Sequence, residues 1–276
     1  MTNPFIPLIN FYLPEPEASL LTGMLFGVTE NFSPEFKEAL ITTGTIHVVA
    51  LSGTNISLIT NLIAKFTFFA GRRLSVIISI ISVISYVIFV GPSPTIVRAG
   101  IMGGISLLGL YFGRQVFALW SLVFTAIVMV LFDFSILTNV SFQLSFFSTL
   151  GILVFAPSPV TRVIKKDIDF ITSILIDIKS IFWENLRTTL AAQIGTLPII
   201  LFTFKRVSTI APLTNVLVGW TVPLATISGM IAVLLGSIFP DLGWVVSWIS
   251  YAFLYLFVTI VDLTSRIPFA NIAITI

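Results

Sequence analysis

The sequence predicts an all-α, polytopic helical membrane protein, and three observations carry that prediction. Of 276 residues, 57% are hydrophobic and only 9% charged, against about 25% charged in a soluble domain, so nothing is left to build a solvated surface. Several windows of 18 residues or more hold few or no charges, the length a helix needs to cross a bilayer. Short polar connectors separate them: GRR at 71–73, GPSP at 91–94, GRQ at 113–115, and Asp133. Taken together they predict about 7–9 membrane segments.

Residues 1–45 are the most polar part, with Glu15, Glu17, Glu30, Glu35 and Glu38 against one Lys37. They read as extracytoplasmic loops and interfacial helices, set apart from a transmembrane domain over 46–276. The opening MTNPFIPLINFYLPEPE has no basic n-region and is broken by Pro4, Pro7, Pro14 and Pro16, so no cleavable signal peptide is expected. SPEFKEAL at 33–40 opens a helix, with Ser33 as N-cap, Pro34 at the first helical position and Glu35 in the first turn.

Spans are expected at 46–70, 74–90, 95–112, 115–132 and 136–156. Residues 160–187 break the pattern. Lys166, Asp169, Ser173, Asp177, Ser180 and Glu184 recur at spacings of three and four opposite Ile171, Ile174, Leu175, Ile178, Ile181 and Phe182, the mark of an amphipathic helix. It is expected at the interface, because Asp177 and Glu184 are costly in hydrocarbon; the other reading is a crossing with the stripe on a pore. A span at 188–204 and the Lys205–Arg206 pair follow. Residues 208–238 would make one helix of about 46 Å, too long for a core of about 30 Å, and Pro212 and Pro223 flank Asn215 and Gly219 inside it. A broken or re-entrant segment fits. A last span at 243–263 stops before Arg266. No internal repeat, low-complexity tract or second soluble domain is visible. The Lys/Arg bias puts the Glu-rich N-terminal region outside and Arg162–Lys166 in the cytoplasm, with Lys205–Arg206 as the exception on the outer side.

The candidate site begins at HVVALSGTNISLI, residues 47–59, where polar groups sit inside an apolar span. Unpaired polar groups in hydrocarbon are expensive, so they face a partner helix, a wet cavity or a substrate path. Ser52, Gly53, Thr54 and Ser57 also suit plain helix packing, whereas His47 and Asn55 carry more hydrogen-bonding capacity than one back-bond satisfies. There is no Cys and only one His, which leaves no disulfide, thiolate metal site or thiol nucleophile; no cofactor, metal site or catalytic set is expected. The 26 Phe are expected to face lipid or fill helix contacts.

SPEFKEALITTGTIHVVALSGTNISLI (33–59), SPTIVRAGIM (93–102), NVSFQLSFFSTLGIL (139–153) and LPIILFTFKRVSTIAPLTNVLVGWTVPL (197–224) occur in this order. Together they resemble the membrane-embedded competence domain of ComEC proteins, over roughly residues 20–235. The resemblance implies a multi-pass channel in the cytoplasmic membrane that carries one strand of transforming DNA, with single-stranded DNA and the lipid bilayer as partners. Two features depart from the family. Asn55 stands where a second His usually follows Ser-Gly, and these residues hold none of the ligand cluster of the metallo-β-lactamase-like nuclease domain that many relatives carry. A nuclease, a DNA receptor and a cytoplasmic translocase would then be separately encoded.

A path for single-stranded DNA should be wet and free of acids, because every nucleotide is charged. The candidates for it are His47, Ser52, Gly53, Asn55, Arg98, Asn139, Gln143, Gln193 and Asn215. Two roles are open for Arg98 near the start of its span: snorkelling to the interface, the expected one, or bidentate contact with phosphate. A small-solute secondary transporter is the alternative function, since it also uses a broken helix, though in two repeated halves. An intramembrane enzyme built on GISL (104–107) with His47 lacks an orienting acid.

Overall fold

The structure, a computed structural model, describes residues 5–49, 71–91, 93–156, 170–268 and 270–273, with Ile56, Thr60, Ile63, Thr67 and Phe69; over 170–182 the description is of the backbone. Four short helices come first: α1 (Ile6–Tyr12), α2 (Glu17–Phe26), α3 (Pro34–Thr42) and α4 (Ile46–Val49). Then follow α5 (Arg72–Val90), α6 (Pro94–Phe112), α7 (Ala118–Phe132), a 3-10 turn (Phe134–Thr138) and α8 (Val140–Phe155). The last third contains α9 (Phe170–Phe204), β1 (Arg206–Ser208), α10 (Ala211–Gly219), α11 (Thr221–Gly236), α12 (Pro240–Ser265) and β2 (Asn271–Ala273). The all-α expectation holds apart from the antiparallel β1–β2 pair, in which Val207 faces Ile272.

Helix starts obey local chemistry. Ser33 Oγ accepts from Phe36 N at 3.2 Å and Pro34 opens α3, as its sequence requires. Ser93–Pro94 repeats that grammar at α6, with Ser93 Oγ accepting from Ile96 N.

The described residues account for part of the expected 7–9 segments. Among the described residues, four helices are long and apolar enough to cross a membrane: Arg72–Val90, Pro94–Phe112, Trp183–Thr203 and Pro240–Ser265; the bent pair α10–α11 passes the same test when its two helices are taken together as one span. The spans expected at 115–132 and 136–156 shrink to helices of 15 and 16 residues, about 22–24 Å each. Non-helical Arg114–Phe117 trims one, and capping at Asp133 and Asn139 trims both around the 3-10 turn. The span expected at 46–70 lies largely outside the described residues. The amphipathic stretch is not a separate interfacial element, since residues 170–187 run into the following span as one 35-residue helix.

The broken segment is present, with α10 and α11 meeting at 44°. The bend falls at Trp220, and the two prolines sit in the first turns of the flanking helices, where a missing N–H costs nothing. Thr221 Oγ1 donates to Val218 O at 2.8 Å and so occupies a carbonyl loosened by the bend.

Packing follows an inside-out pattern. On α5, Val76, Ser79 and Val83 are buried while Ile77, Ile81, Ile84 and Ile88 stand exposed on another face, an apolar stripe suited to lipid. The main core joins the two ends of the chain: Ile9, Leu20, Leu21, Met24, Leu40 and Val49 pack with Val218, Val222, Leu254, Phe257 and Val261. The α11–α12 hairpin closes on small residues, a Cβ on Gly243 striking Gly236 Cα, with Ser250 Oγ donating to Ser228 Oγ at 2.9 Å, while Gly229 of α11 makes room for Leu21 of α2. Small side chains let membrane helices approach closely where apolar burial alone gives no drive. In the middle of the chain α5 packs on α6, α6 on α7 and α8, and α8 on α9.

Candidate functional site

Arg98 is set one turn into α6 by the Ser93–Pro94 cap. Its side chain does not snorkel. Only 8% of the residue is exposed, and Nη1 donates to Thr149 Oγ1 on α8 and lies 3.9 Å from Met102 Sδ. Thr149 Oγ1 in turn donates to Ser145 O at 3.0 Å, so its lone pairs are presented to the guanidinium. Among the described residues, Arg98 Nε is buried with no hydrogen-bond partner.

The other side of α8 meets α9 backbone to backbone. A methyl built on Gly195 would strike the carbonyl oxygen of Phe147 and sit 3.1 Å from Gly151 Cα; one on Gly151 would strike Ala191 O. Gln193 is half-buried on α9 beside this crossing. Arg98 and Gln193 therefore belong to two helices that flank α8. Asn139 and Gln143 are committed to the start of α8. Asn139 Oδ1 accepts from Ser141 N and Phe142 N at 2.9 and 3.2 Å, and Gln143 Nε2 donates to Leu137 O at 2.7 Å.

His47 and Asn215 fall in a second group. Gly44, at φ +68°, lets the chain turn hard against Ala211 and Ser208, where a Cβ would lie 2.6 Å from Ala211 Cβ. Ser208 Oγ donates to Thr42 O at 2.7 Å, and Glu38 pairs with Arg206 at 3.1 Å. His47 is exposed, and its Nδ1 lies 2.7 Å from Gly44 O. A carbonyl only accepts, so Nδ1 carries the hydrogen and, in the neutral ring, Nε2 is the acceptor nitrogen. One turn along α10 from Ala211, Thr214 is 0% exposed, and both Thr214 Oγ1 and Asn215 Oδ1 are buried without a partner among the described residues. Buried polar atoms in this state call for an explanation. Ser52, Gly53 and Asn55 lie outside the described residues. Among the described residues, no three His, Asp or Glu groups come together to hold a metal ion.

Four positions escaped the sequence reading. Thr149 lies in a quoted block, but one Thr among many carries no signal alone. Ala191-x-x-x-Gly195 is the small-xxx-small pattern of close helix crossings, so that contact could have been found. Thr214 had no distinguishing feature.

Residues 24–276 match the model of the competence protein family. The chain belongs to that family. It is similar to ComE operon protein 3 of Bacillus subtilis (strain 168), at 25% identity over 256 residues, which is 89% of this chain and 31% of that protein. The chain thus spans about a third of the length of that relative. No solved structure matches it. In this competence-family fold the four sequence blocks meet in pairs: 33–59 touches 197–224 through Gly44–Ala211 and Glu38–Arg206, and 93–102 touches 139–153 through Arg98–Thr149.

Proposed function

We propose that this chain is the membrane-embedded conduit through which one strand of DNA crosses the cytoplasmic membrane during DNA uptake. Membership of the competence family over nearly the whole chain carries the reading. The chemistry supports it. Polar groups that a charged, hydrated strand could use are neutral or positive (Arg98, Gln193, Thr214, Asn215), and the ion-paired acids of the described residues, Glu38 and Asp262, are exposed. A polyanion avoids carboxylates along its route. The reading gives these residues passage and no catalysis. DNA capture, degradation of the other strand and cytoplasmic pulling are not assigned to these residues.

The test is a clean gene deletion scored for entry of labelled DNA into the cytoplasm, with an Asn55→Leu strain beside it. The deletion should abolish entry. Asn55→Leu, which keeps volume but removes an amide, should accumulate normally in the membrane and lose transport. Normal DNA entry in the deletion strain sinks the reading, and loss of uptake of one small solute instead would establish a secondary transporter.

A further inference from the structure

The seam between α6 and α8 holds a positive charge with no carboxylate paired to it among the described residues. Arg98 is 8% exposed, and both of its contacts are made by Nη1: to the neutral Thr149 hydroxyl and, at 3.9 Å, to Met102 Sδ. The ion pairs of the described residues, Arg206–Glu38 and Arg266–Asp262, are on other elements. A guanidinium presents five N–H donors in a planar fork. The edge formed by Nε and Nη2 pairs side-on with oxyanions through two parallel bonds. In Arg98 neither of these contacts comes from that edge, and its Nε is buried with no partner among the described residues.

A structural arginine at this depth should behave differently. It would reach for water along the interface or close an ion pair; Arg98 does neither. Its fork is instead oriented by one hydroxyl on the neighbouring helix, and neither contact engages Nε. Charged side chains inside membrane segments that lack a protein counter-ion mark ligand paths.

We propose that Arg98 is a phosphodiester-binding residue of the conduit: its Nε–Nη2 edge holds one backbone phosphate of the passing strand while Thr149 fixes the fork through Nη1. This assignment rests on the conduit reading and names a contact within it. A nucleic-acid phosphate is favoured over a lipid headgroup by direction. The guanidinium points into the helix seam, whereas the outward side chains of α6 are Leu108, Leu110 and Phe112, all exposed. One charged grip among neutral groups also suits transport, which needs a strand to bind and then leave.

The experiment uses the full chain in phosphatidylcholine vesicles and a fluorescent single-stranded oligodeoxynucleotide titrated at several salt concentrations, for the parent, Arg98→Gln and Arg98→Lys. Each phosphate contact on a single strand contributes about 0.7 to the slope of log affinity against log salt. Arg98→Gln should flatten the slope by about 0.7 and lower DNA entry in cells at least roughly tenfold, at unchanged membrane abundance, because it removes an unpaired buried charge. Arg98→Lys should keep the slope but bind several-fold more weakly, since the charge stays and the fork is lost. An unchanged slope in Arg98→Gln overturns the assignment. So does a result in which phosphatidylglycerol vesicles stabilise the parent but not Arg98→Gln while the oligonucleotide slope is unaffected, which would make this a headgroup site. Should Arg98→Gln fail to accumulate, Arg98→Lys decides: parental affinity and normal DNA entry overturn the assignment. Normal DNA entry in the deletion strain sinks the conduit itself. A defective deletion with normal Arg98 variants sinks only the role given to Arg98.

Discussion

Replacing Gly195 by alanine should separate α8 from α9. The added methyl would fall on the carbonyl oxygen of Phe147 and 3.1 Å from Gly151 Cα, while ordinary contact begins at 3.4 Å. Both obstacles are backbone, so neither can rotate away, and the helices must part by roughly an ångström, an overpacking that costs about 1–3 kcal/mol. At about 2–4 °C per kcal/mol, a cost of about 2 kcal/mol lowers the melting temperature by roughly 4–8 °C. Gly104→Ala is the matched control: nothing lies within 4 Å of a Cβ there, and the helix gains about 0.5–1 kcal/mol from the lost backbone entropy of glycine. Its melting temperature should hold or rise by roughly 1–4 °C. The assay is intrinsic tryptophan fluorescence during heating of the purified protein in detergent, with five Trp as reporters. Equal shifts in the two variants, or a stabilised Gly195→Ala, would refute the reasoning, because the two sites differ in contact and not in propensity.

Two further outcomes are expected. Glu17 is 4% exposed, and burial, followed by repulsion from Glu15, raises its carboxyl pKa above the ordinary 4.5. The folded state therefore holds that proton more tightly than the unfolded chain, and the stability so gained is full below pH 4.5 and lost as pH rises through the raised value. Glu17→Gln should melt higher than the parent at pH 7 and close that difference on acidification; a constant difference across pH refutes it. In single-Cys variants, which are clean because the chain has no Cys, an impermeant thiol reagent applied from outside should label Cys at Ser33 and at Lys205 and miss Cys at Ser158. The reverse pattern inverts the orientation, and opposite results at Ser33 and Lys205 contradict the Glu38–Arg206 pairing.

Some of this architecture was legible because its causes are local. The Ser33–Pro34 start of α3 depends on one side-chain bond, and the break after Gly219 was forced by the length of an apolar run punctuated by two prolines. Helix lengths were less legible. Asn139 reads as a polar intruder in an apolar run and acts as the N-cap that starts α8, which shortens the segment. Continuity of α9 through residue 187 was also hidden, because charge patterning argued for an interface while the backbone simply kept its helical hydrogen bonds. Arg98 was misjudged as a snorkelling side chain, since depth along its own helix is readable but the position of Thr149 on another helix is not. The Gly151–Gly195 crossing is of the same kind: small-residue spacing offers the opportunity, and only the fold supplies the partner.

The β1–β2 pair has a consequence in parity. Arg206 lies opposite Ala273, and Ser208 opposite Asn271, so the stretch between them leaves and returns to one place. Paired strands cannot lie on opposite faces of a bilayer. The number of crossings between residues 208 and 271 is therefore even. If α12 crosses once, the bent α10–α11 segment crosses too and does not dip in and return on the side it came from. Glu38, paired with Arg206, puts α3 on that same side, so a two-stranded clasp of three residues each fixes the sidedness of elements from both ends of the chain.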